Sequence, residues 1–168
     1  MTISLHPHDI GCEPSPSTPA ETLIQDGWST HLLFYAVSKD SEGLPHRELG
    51  VAVVECEGCS VTKFGYPNDE GLPEHPAYAL GLGEASTSVF EMRASPWVKE
   101  HEAQIKASKA RIWGGRGANS FASPQVRHFV VLLKEATFEC LPHNLSVRRI
   151  EPTFANAMEY VRSVLSER

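Results

Sequence analysis

The sequence predicts an α+β domain, a mainly antiparallel sheet of five to seven strands with two principal helices packed on it. Three observations predict it. Apolar runs of strand length recur at 31–37, 51–54 and 129–133. Short breaks follow the last two and lead into further strand-like stretches at 61–64 and 137–141, the arrangement of hairpins. Apolar residues at helical spacing occur in two places, 97–112 and 154–165.

Composition narrows the class. A chain of 168 residues fits one domain and buries a core without staples. With 21% charged residues and a net charge of −6, it lacks the clustered Lys and Arg of a nucleic-acid-binding face. No apolar run approaches a membrane span, and the first residues lack a basic start followed by an apolar stretch, so no membrane segment or secretory signal is expected and a cytoplasmic location is favoured. Four cysteines in such a chain read as free thiols.

In chain order, residues 1 to about 20 carry four prolines and little to bury, so they read as a mobile or draped arm ahead of a single α+β domain over 21–168. A helical turn is expected over 21–28, then a strand over 31–37 and a loop over 38–48. The stretch 49–66 reads as a hairpin turning at Glu57-Gly58, pairing Val54 with Val61 and Val51 with Phe64 and setting Cys56 opposite Cys59. This C-x-x-C has no second ligand pair and sits in a turn instead of opening a helix, so a structural or incidental role is favoured over metal or redox chemistry.

Loop 64–76, FGYPNDEGLPEHP, is the densest set of polar groups with chemical capacity. Its glycines and prolines prescribe an irregular path, and loops on a rigid sheet are where sites lie. It carries Tyr66, Asn68, Asp69, Glu70 and His75. A strand follows over 87–92, and Ser95-Pro96 starts a helix as N-cap and first helical position, with Trp97, His101, Ile105 and Ile112 on one buried stripe. The glycine-rich stretch 113–123 follows a helix and precedes a strand, the wrong order for a phosphate-binding loop; Arg116 on it is a candidate anion hook.

The centre of the core is expected in 127–141, RHFVVLLKEATFECL, read as two strands with a short break. Alternation sets Phe138 and Cys140 on one face and Thr137 and Glu139 on the other. A carboxylate on an interior strand must be paired, hydrogen-bonded, protonated or exposed. A last strand over 145–150 precedes a terminal helix opened by Pro152, with Phe154, Met158, Val161 and Leu165 inward.

FGYPNDEGL at 64–72 and RHFVVLLKEATFEC at 127–140 resemble stretches of a small, mainly bacterial family of uncharacterised proteins with FGYPNDE-like and HFxFxFHDSTFEC-like segments. The resemblance implies no activity; it implies a common site at loop 64–72 and strand 137–140. Lys134-Glu135 stands where that pattern has His-Asp.

Two readings stay open. In one, the chain is a small-molecule enzyme or binder whose catalytic candidates are Glu139, Asp69, Glu70 and His75, with Tyr66, Asn68, Arg116 and His128 binding the ligand, Glu139 projecting toward residues 68–70, and one gathered carboxylate titrating high. No metal ligands are assigned and no cofactor is named. In the other, it is a non-catalytic interaction or regulatory domain whose loops and N-terminal arm contact a protein partner.

Overall fold

The computed structural model describes residues 2–27, 29–39, 46–59, 61–84, 86–113 and 125–167. In chain order its strands are β1 (Ser4–Pro7), β2 (Glu13–Pro14), β3 (Thr22–Gln25), β4 (Thr30–Val37), β5 (Glu48–Glu57), β6 (Thr62–Gly65), β7 (Val89–Arg93), β8 (His128–Leu132), β9 (Thr137–Cys140) and β10 (Asn144–Glu151), with helices α1 (Pro96–Trp113) and α2 (Phe154–Ser166). All pairings are antiparallel, and the class is α+β. The strands divide into two sheets, where the sequence pattern suggests one. The first runs β1-β7-β8-β9-β6; the second runs β10-β5-β4-β2, with β3 also on β4.

The β8–β9 hairpin forms as its pattern predicts. Phe129 pairs with Cys140, Val130 with Glu139 and Val131 with Phe138, and Leu133 N–H donates to Ala136 C=O at 2.9 Å across the turn. Because side chains alternate along a strand, Phe129, Val131, Phe138 and Cys140 all enter one cluster with Leu32, Phe34, Ala52, Val54 and Leu145 of the second sheet. This is the main core, two sheets face to face. The outer face of the second sheet is covered by α2, whose Ala157 and Val161 meet Leu33, Val51 and Val53. The outer face of the first is covered by the chain after β6, where Leu72, Ala77 and Leu82 pack on Phe90, Met92 and Val130.

The 49–66 hairpin does not form. Both edges of β5 are taken, by β4 and β10, so the chain crosses at Gly58 to the other sheet and β6 pairs with β9. Gly58 has φ +61°, and a Cβ there would lie 2.5 Å from the His143 ring, so only glycine fits the crossing. Cys56 therefore stands opposite Thr30 and Leu145, not Cys59. Cys12, Cys56, Cys59 and Cys140 are all free thiols in the core between the sheets.

The expected arm is also corrected. Residues 4–7 form β1 on β7, and residues 13–14 form β2 on β4. Cys12 is fully buried, the Glu13 carboxylate accepts from Thr87 Oγ1 at 3.0 Å and Ser88 N–H at 2.7 Å, and the His8 ring lies 4.8 Å from that of Phe129. The prolines that suggest mobility exclude helix, yet leave edge pairing open. Residues 22–25 are strand β3 and not a helical turn, because β4 offers them a free edge.

Ser95 caps α1, its hydroxyl accepting from Val98 N–H at 3.5 Å. Of the predicted stripe, His101 is buried and Trp97 and Ile105 are half-buried, while Ile112 is exposed. Thr153 caps α2 through Asn156 N–H at 3.2 Å, and Met158, expected inward, is largely exposed. Among the described residues no helix is long and apolar enough to cross a membrane.

Deleting residues 1–14 removes β1, β2 and the buried Cys12. This should cost on the order of 3 kcal/mol and lower Tm by roughly 6–12 °C. Thermal melting of the shortened chain checks it; an unchanged melt would mean that these strands add nothing.

Candidate functional site

On the outer face of the first sheet, β8 presents His128 two residues before Val130, and β9 presents Glu139 opposite Val130, so His128 and Glu139 are diagonal neighbours. On the other side of β9, Lys63 of β6 pairs with Glu139. The chain after β6 passes over this face. Thr137 Oγ1 donates to Pro67 C=O at 2.7 Å and Asp69 N–H to Lys134 C=O at 3.3 Å, fixing the loop to the end of the β8–β9 hairpin. Two short 3-10 turns, Leu72–Glu74 and Tyr78–Leu80, then bracket His75 and point it down at the sheet. Ser95 and Trp97 arrive from the start of α1. Together these enclose a pocket of about 230 Å³, with Met92, Leu80 and Ala77 among its apolar walls.

The polar groups form a chain. Ser95 Oγ lies 2.8 Å from His128 Nδ1, and His128 Nε2 lies 2.8 Å from Glu139 Oε2. An ionised carboxylate can only accept, so His128 must be the donor in its bond to Glu139. Its Nε2 therefore carries the proton of that bond. The Trp97 ring stands edge-on to His128, centroids 5.1 Å apart, and holds it in that orientation. The other oxygen of Glu139 is 3.3 Å from Lys63 Nζ and 3.8 Å from His75 Nε2. His75 Nδ1 accepts from Ala77 N–H at 3.1 Å, which places its own proton on Nε2. That buried N–H has no hydrogen-bond partner among the described residues.

Burial pushes the Glu139 carboxyl up, but the bond from His128 and the charges of His128 and Lys63 outweigh it and hold its pKa below 4.5. Burial pushes the His75 imidazole below 6.5, outweighing the nearby carboxylate. Near neutral pH the pocket therefore presents an ionised acceptor, Glu139, beside a neutral donor, His75 Nε2–H.

Of the residues singled out from sequence, Glu139, His75 and His128 converge here. Tyr66, Asn68, Asp69 and Glu70 do not line the pocket. Tyr66 is exposed and lies over Gly71; Asn68 accepts from Gly71 N–H at 3.0 Å as a turn residue; Asp69 pairs with Lys134; Glu70 is exposed. Glu139 thus faces His75 and Lys63 instead of residues 68–70, and cations around it lower its pKa where gathered carboxylates were expected to raise one. Nor does Arg148 reach it, being paired with Glu55 and Glu57. Arg116 lies outside the described residues. Lys63, Ser95 and Trp97 carry no catalytic motif. Lys63 would have been visible as the cross-strand partner of Glu139 had the β6–β9 pairing been known, while Ser95 and Trp97 read as a helix cap and a packing residue.

Elsewhere, Cys59 is held at a pKa of about 7, chiefly by the thiol of Cys140, whose own pKa burial pushes well up. Among the described residues no group of three or more His, Cys, Asp and Glu side chains is placed to hold a metal ion.

Both shifts at the pocket make stability depend on pH. The folded chain resists a proton on His75 that the unfolded chain accepts, so this stabilisation is complete above pH 6.5 and is lost as pH falls through the lower folded value. Glu139 contributes in the same sense from pH 4.5 downward. Melting temperature should fall in two steps on acidification, and His75→Gln should abolish the step that starts near 6.5. A parent and variant with the same profile above pH 5 would contradict the burial of a neutral His75.

Comparison with family models, with curated proteins and with solved structures returned no match for this chain. The chemistry of the pocket is therefore read from its own atoms.

Proposed function

We propose that this protein is a small-molecule-binding protein or enzyme whose site is the acidic and histidine-lined pocket between loop 64–76 and strand 137–141. Glu139 accepts a proton or hydrogen bond from the ligand, His75 Nε2–H donates to a ligand oxygen, and His128, fixed by Ser95 and Trp97, positions the carboxylate. The observation that carries this reading is the buried Nε2–H of His75, without a hydrogen-bond partner among the described residues, on a side chain that lines the cavity. A buried donor left open costs about 1–3 kcal/mol, so its presence beside an ionised carboxylate is accounted for by a ligand that completes it.

A set of small acids, alcohols, amines and amides, screened by NMR, tests the reading. Binding fragments should shift the resonances of His75, Trp97 and His128, and His75→Gln or Glu139→Gln should weaken them at least tenfold, about 1.4 kcal/mol. Fragments that bind both variants as they bind the parent would remove the pocket from consideration.

The interaction-domain reading has one observation of its own, the exposed Phe64, Tyr66, Tyr78 and Leu80 beside the same loop. It predicts a protein partner released by Tyr66→Ser and indifferent to His75→Gln.

A further inference from the structure

The pocket already holds an ammonium group, the protein's own. Lys63 Nζ sits 4.0 Å from the centroid of the Trp97 ring and 3.3 Å from Glu139 Oε1, between an aromatic face and a carboxylate. That pairing of surfaces recognises organic cations. Lys63 comes from β6, which lies at the edge of its sheet, and its side chain is 55% exposed, so it can leave for water without disturbing the core. Glu139 cannot leave; its side chain is 14% exposed on an interior strand.

We propose that the Glu139–Trp97 end of the pocket is a binding site for a small primary amine, and that Lys63 occupies it as an internal stand-in until the ligand takes its place. The proposal rests on the pocket reading above and names the class of its ligand. Charge balance selects that class. An anion would enter against Glu139, and a neutral group displacing Lys63 would leave a buried carboxylate with one cation fewer. An incoming ammonium exchanges like for like and keeps both the ion pair and the contact with the ring. Met92, Leu80 and Ala77 line the same pocket and offer apolar wall to a short alkyl chain. The open Nε2–H of His75 lies 3.8 Å from the same carboxylate oxygen, so an oxygen close to the amine, as in an amino alcohol, completes it.

n-Propylammonium, 3-aminopropanol, n-propanol and propionate, titrated into the full chain and followed by NMR at Lys63 Nζ, Trp97 and His128, test the proposal. Propylammonium should shift the Lys63 Nζ signal toward that of a solvated lysine, and 3-aminopropanol should bind more tightly than propylammonium. Lys63→Met keeps the stem and removes the competing charge, so it should bind propylammonium at least tenfold tighter than the parent; Lys63→Gln should do the same. Adding Glu139→Gln to either should abolish the gain. Failure of both Lys63 variants to strengthen amine binding, or retention of the gain in the double variants, overturns the proposal. If propanol or propionate shifts Trp97 and His128 while the amines do not, the amine assignment fails and the pocket reading survives. If none of the four probes shifts them, both fail.

Discussion

An ionised carboxylate on an interior strand has to be surrounded by donors, and the outer face of the first sheet is built around that requirement at Glu139. Phe138 and Cys140 beside it on β9 and Val130 opposite it on β8 are apolar, so they offer no compensation. Its two donors come from different elements, Lys63 from β6 and His128 from β8, and His75 of the loop that crosses the sheet lies 3.8 Å away. Ser95, at the start of α1, meets His128 Nδ1, so one residue both begins a helix and orients the ring. The two roles are compatible because a hydroxyl accepts from the helix amide and bonds to the ring at the same time.

Two-sided burial of the β8–β9 hairpin makes this arrangement rigid. Its inward side chains fill the space between the sheets, and its outward apolar ones, Val130 among them, hold down the crossing loop through Leu72, Ala77 and Leu82. The loop is fixed at both ends of its contact: Thr137 holds Pro67 at the hairpin end, and the 3-10 turns flank His75 further on. His75 is therefore placed by the core, and a side chain held in this way is preorganised. Among the described residues that line this pocket, His75 Nε2–H is the one buried polar group without a hydrogen-bond partner.

The same crossing that creates the pocket also gathers the thiols. Because the chain changes sheets at Gly58, Cys56 stays with the second sheet while Cys59 leads into the first, and Cys140 meets them from β9. Burial between sheets accounts for these cysteines as small apolar core residues. The C-x-x-C spacing reflects the geometry of the crossing, with Cys59 N–H donating to Cys56 C=O at 3.3 Å.

Local pattern was enough for several elements. The two strands of the β8–β9 hairpin and the faces of β9, strand β4, the Ser95 cap, helix α1 and the terminal helix follow from alternation, helical spacing and cap chemistry, all of which act between residues close in sequence. His75, His128 and Glu139 were legible as candidates because each is a titratable group in an otherwise apolar or rigid setting. Which of them meet was not legible. The pocket depends on β6 pairing with β9 across 70 and more residues, and the sequence around Glu57-Gly58 favours a local hairpin with β5 that is excluded only because β4 and β10 already occupy both its edges. The same competition for free edges turned the proline-rich start into β1 and β2 and residues 22–25 into β3. So the sequence by itself determined the class, the inward and outward faces of its strongest strands and the chemical groups available. Only the tertiary structure decided which edge each strand found, and with it the neighbours of Glu139, because edge pairing is a competition among distant segments that no local preference can settle.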